Sequence, residues 1–64
     1  MDCDVQVNGE QVPFLQVWAS MNRAIRYGLE QALSLKRDTQ EECQVFVDEY
    51  CSRHEAVFGT QFRP

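Results

Sequence analysis

Cys51-Ser52-Arg53-His54 places a thiol and an imidazole three residues apart, and so on one side of any helix that carries them. Such a pair is the minimum for a nucleophile with its base, or for half of a zinc site. Completing the site is difficult. Cys43 lies eight residues from Cys51, about 12 Å along a helix, too far for both thiolates to reach one zinc with bonds near 2.3 Å. Cys3 would have to cross from the other end of the chain, and a fourth ligand is still unassigned. Zinc signatures show close paired spacings, and these are absent. The sequence therefore reads Cys43 and Cys51 as apolar packing groups, and His54 as an edge residue with a local hydrogen bond. Glu41-Glu42 and Asp48-Glu49 belong to a helical pattern, whereas calcium loops need alternating acids around a turn glycine. A glycine-rich phosphate loop, a serine elbow and an HExxH pair are all missing. The expectation is binding without catalysis, with no cofactor and no metal.

Size and composition bound what else can be built. Sixty-four residues give one domain, read as residues 1–64, close to the lower limit for a self-sufficient core. Chains this short rarely net more than about 3–5 kcal/mol from one core. A hydrophobic fraction of 44% with four Phe, two Tyr and one Trp makes that core feasible. No apolar run approaches the roughly 18 residues a membrane span needs, and Met1-Asp2-Cys3-Asp4 carries acids where a signal peptide needs bases. Three cysteines without framework spacing suit a reducing compartment. The reading is a cytoplasmic protein with no membrane contact. A net charge of −4 weighs against direct binding to a phosphate backbone, which calls for clustered Lys and Arg.

The elements follow from periodicity. Alternation on both sides of Asn8-Gly9 predicts a hairpin over about residues 3–13, because a type I′ turn needs positive φ at both central positions. In that register Val7 faces Glu10, Val5 faces Val12 and Cys3 faces Phe14. Cys3, Val5, Val7, Val12 and Phe14 then share one side. From Pro13 onward, Phe14, Trp18, Met21, Ile25, Leu29 and Ala32 recur at threes and fours, predicting one helix over about 14–36. Gly28 on that side would let another backbone approach closely. Thr39-Gln40-Glu41-Glu42 is a capping box, with Lys36 and Arg37 suited to the end of the preceding helix. A second helix is predicted over about 40–58, stopped by Gly59, with a tail over 59–64 in which Phe62 docks on the core. The fold class is α+β: an N-terminal two-stranded antiparallel hairpin packed on two antiparallel amphipathic helices.

Charge is distributed unevenly. By segment it is −3 over residues 1–10, +3 over 11–37, −5 over 38–55 and +1 in the tail. At about 100° per residue, Cys43, Phe46, Val47, Tyr50, Cys51, His54, Val57 and Phe58 fall on one arc of the second helix. Asp38, Glu41, Glu42, Asp48, Glu49 and Glu55 fall opposite, with Val45 and Ser52 among them. The bland account is a solvated surface. The functional account is a face for docking on a basic protein surface, built from Asp38, Glu41, Glu42, Val45, Asp48 and Glu49. Charge on such a face steers encounter. A thinner basic strip of Arg23, Arg26 and Arg37 is the secondary patch. Two alternatives remain open. One is a homo-oligomer, by default a symmetric dimer, formed through the stripe around Val17, Ala24 and Gly28. The other is a small DNA-associated regulator using the arginines.

In its shortness, its Asn8-Gly9 hairpin and its carboxylate face from Asp38 to Glu55, the chain resembles small acidic proteins that bacteriophages and mobile elements use against host machinery. Anti-CRISPR proteins are among them. The resemblance implies an inhibitor that binds a nuclease or CRISPR surveillance complex at its nucleic-acid-binding surface, in the host cytoplasm. The arginines of the first helix depart from a purely acidic mimic.

Overall fold

A computed structural model describes residues 3–34 and 38–64. Strand β1 spans Asp4–Val7 and β2 spans Glu10–Pro13. Asn8 and Gly9 turn the chain between them at φ of 54° and 82°, the geometry that made Asn-Gly informative. Val5 pairs with Val12 and Val7 with Glu10, and the Phe14 amide donates to the Cys3 carbonyl at 2.6 Å. The pairing is the predicted one.

Beyond the hairpin the structure corrects the expectation. The residues assigned to one helix over 14–36 form two, α1 (Phe14–Ser20) and α2 (Arg23–Leu33). Met21 is extended at φ −70° and ψ 145°. Asn22 caps the new helix, its side-chain oxygen accepting from the Ala24 and Ile25 amides at 3.0 and 3.2 Å. Asparagine suits that position because its short side chain replaces the missing intrahelical partners. On the other side of the break, the Ser20 hydroxyl donates to the Gln16 carbonyl at 3.0 Å, a bond that competes with helix continuation. Ser34, in the left-handed region at φ 51°, ends α2. The expected extension to residue 36, with Lys36 and Arg37 at its end, lies outside the described residues.

The break is fastened from outside. The phenol of Tyr50, fully buried, accepts from the Asn22 amide at 2.6 Å. Tyr50→Phe keeps the ring and removes that acceptor, leaving a part-buried N–H without its partner, which costs about 1–3 kcal/mol. At about 4–8 °C per kcal/mol for a chain of this size, thermal melts followed by circular dichroism should register a clear loss.

Helix α3 spans Gln40–Phe58 and organises the rest. The Thr39 hydroxyl oxygen accepts from the Glu42 amide at 3.2 Å and lies 3.3 Å from the Glu42 carboxylate. Gly59 terminates it at φ 74°. β1 and α2 both pack on α3, while α1 packs on β2. The core gathers Val5, Val7, Val17, Met21, Leu29, Cys43, Phe46, Val47, Tyr50 and Phe62, and no charged residue among those described is buried with them. Phe62 meets Tyr50 edge to face at 4.7 Å between ring centres, and its carbonyl accepts from the Asn8 side chain at 2.8 Å. The tail is thereby tied to the hairpin turn.

Two glutamines of α3 close the outer edge of β1. Gln44 accepts from the Gln6 amide at 2.8 Å and donates to the Gln6 carbonyl at 3.0 Å. Gln40 donates to the Asp4 carbonyl at 3.0 Å. These amides supply bonds that a third strand would otherwise make to Gln6 and Asp4, which blunts the edge toward another chain.

Candidate functional site

The outer surface of α3 is set by its inner one. Cys43, Phe46, Val47 and Tyr50 are buried, which fixes the rotation of the helix and turns the opposite side to solvent. Glu41, Asp48, Glu49 and Glu55 are exposed on that side, with Asp38 exposed just before the cap. Glu42 is half-buried beside Thr39. Val45 stands among them at 47% exposure. Acids recur at seven-residue intervals, as Glu41-Glu42, Asp48-Glu49 and then Glu55. Seven residues advance a helix by about 10.5 Å, so the carboxylates form a regularly spaced double row. Asp48 is also held in place: its carboxylate accepts from Gln44 at 3.0 Å, the same amide that grips β1.

The two arginines of the secondary patch differ. Arg23 is exposed. Arg26 is half-buried, donates to the Trp18 carbonyl at 2.8 Å and lies 4.7 Å from the centre of the Trp18 ring. Its guanidinium clasps α1 to α2, with a cation–π contribution of about 0.5–1 kcal/mol or more. Arg37 lies outside the described residues. Of the stripe around Val17, Ala24 and Gly28, Val17 is fully buried, whereas Ala24 and Gly28 are exposed.

The thiol–imidazole pair is drawn into packing. His54 Nδ1 sits 3.1 Å from the Thr60 carbonyl, and its ring touches those of Tyr50, Phe58 and Phe62 at 4.6–5.7 Å. Cys51 is half-buried, and burial, followed by the nearby Asp48 charge, pushes its thiol pKa up. The thiol is thus held away from the thiolate form that nucleophiles and metal ligands need. Among the described residues no cluster of three or more His, Cys, Asp or Glu has the arrangement of a metal site.

One surface was not expected. Val57 and Phe58, assigned to the packed arc, are 64% and 50% exposed. Val57 joins Ala24, Ile25, Gly28, Arg53 and Ala56 around a hollow of about 330 Å³ between α2 and α3. Gly28 forms part of its floor, and a Cβ built there would meet nothing within 4 Å. No backbone approaches it, contrary to the expectation. A mid-helix glycine costs about 1 kcal/mol relative to alanine, and nothing inside this fold requires one.

Residues 5–62 match the family model described as anti-CRISPR protein AcrIC5. The chain belongs to this family. It is accordingly an anti-CRISPR inhibitor, a small α+β protein whose targets are CRISPR–Cas components. No curated protein and no solved structure matches it.

Proposed function

We propose that the chain inhibits by laying the outer face of α3 on a basic, nucleic-acid-binding surface of a CRISPR effector, in the cytoplasm of the host cell. Asp38, Glu41, Glu42, Asp48 and Glu49 take places that phosphates would otherwise occupy, and Val45 supplies a small apolar centre. The observation that carries this reading is the regular recurrence of exposed carboxylates along a 19-residue helix. At intervals of about 10.5 Å along one side of a rod, they offer a basic surface a line of negative charge of the kind that attracts it to a phosphate backbone.

The test is competition. Target DNA added to the preformed complex of inhibitor and effector should displace the inhibitor, and affinity should fall steeply with salt, since opposed surface charges are screened beyond a Debye length of about 10 Å at 0.1 M. Simultaneous binding of target DNA and inhibitor, without loss of affinity for either, would rule the reading out.

A further inference from the structure

The hollow between α2 and α3 adjoins the acidic face: Ala56 lines it and also lines the shallow surface beside Ser52 and Glu55. We infer that this hollow is a second anchor point, which takes one aromatic side chain projecting from the basic surface of the target. The inference rests on the proposed function and names what the target must carry beyond positive charge.

Its chemistry is selective. Ala24, Ile25, Ala56 and Val57 make apolar walls, and Arg53 stands among them. Apolar walls alone would accept any hydrocarbon, but a guanidinium beside them favours a ring, over whose face it is attracted by the quadrupole. At about 330 Å³ the hollow is at the small end of concave sites, about 300–1,000 Å³, and suits a single side chain better than a whole helix. Gly28 provides the independent observation. It holds open a space that nothing in the fold fills, at a position where alanine would favour the helix. Charge sets the approach: Glu55 lies on the adjoining surface and Glu49 is exposed one helical turn before Arg53. Two carboxylates thus stand beside the single lining guanidinium, and once that guanidinium is engaged by the ring they favour a cationic surround. Proteins that grip nucleic acid carry that combination, since they stack bases on aromatic side chains in positively charged grooves. An aromatic held in this hollow is one that no longer stacks on a base.

Gly28→Leu fills the hollow and suits a helix, and the open space around the missing Cβ lets the chain fold unchanged. Kinetics are read by surface plasmon resonance on the RNA-loaded effector complex whose DNA binding the wild-type chain blocks. The G28L chain should dissociate at least about tenfold faster, with association rate and salt dependence kept, since contacts at an anchor act mainly on dissociation. Arg53→Gln should weaken binding in the same sense. As a separate arm, Asp48→Lys with Glu49→Lys should slow association and flatten the salt dependence. Wild-type dissociation by folded G28L overturns the anchor; if the charge variant is nevertheless impaired, the proposed acidic face survives without it. Impairment by G28L with an unaffected charge variant keeps the anchor and removes the phosphate-like face.

Discussion

Reversing Glu41, Glu42, Asp48 and Glu49 to lysine together is expected to abolish inhibition while leaving a folded chain. Each reversal moves the net charge by two units, so the four carry the protein from −4 to about +4. Single exposed ion pairs contribute about 0–1 kcal/mol, so removing one acid would be hard to see. Placing four cations against a basic surface replaces attraction with like-charge contacts that cost several kcal/mol. At 1.4 kcal/mol per tenfold, affinity should drop by at least about 100-fold. Glu41 and Glu42 also lie in the first turn of α3, where lysine opposes the helix dipole by about 0.3–1 kcal/mol each. Asp48 and Glu49 lie mid-helix, free of that complication. Calorimetric titration with the effector, alongside far-UV circular dichroism, separates lost docking from lost structure. A folded quadruple variant that binds as tightly as the wild type would leave the acidic face with no role.

Phe46→Ala should unfold the protein. Its ring is completely buried and lies 5.4 Å from that of Trp18 between ring centres, joining α1 to α3. Truncating a buried phenylalanine costs about 3–5 kcal/mol. A 64-residue chain nets about the same from its entire core. The variant should therefore lose its near-UV signal and melt without a cooperative transition at 25 °C, while Phe46→Leu, which keeps most of the volume, should remain folded. A cooperative melt within a few degrees of wild type for Phe46→Ala would place the core's support elsewhere.

Local chemistry made parts of this fold legible before any coordinates. Asn8-Gly9 specified both a turn and a register, because only certain residues accept positive φ. Thr39 and Gly59 marked the ends of α3 for the same kind of reason. The break at Met21 and Asn22 was hidden by the pattern that should have revealed the helix: Phe14, Trp18, Met21, Ile25 and Leu29 keep helical spacing straight across it. Periodicity records which side faces the core and not whether the backbone bends there. Asn22 was the available signal, a capping residue in the middle of an apolar repeat. The exposure of Val57 and Phe58 was illegible, since it depends on how the first turns of α2 lie against the last turns of α3. The hollow beside Gly28 was missed for that reason too. The carboxylate face could be drawn from the angles alone, because one buried side of a helix dictates the other.

The ties between Asn8 and Phe62, and between β1 and the glutamines of α3, have a consequence for how the protein comes into being. They join positions 54, 38 and 36 residues apart, so α1 can support β2 early, whereas β1 lacks these partners until α3 and Phe62 have been made. A growing chain on the ribosome cannot complete these ties early, and domains rich in such distant pairings gain their structure late. Ribosomes stalled short of Phe62 would carry an incompletely folded nascent peptide, and inhibitory strength would appear only once Phe62 has been added instead of building up along the way.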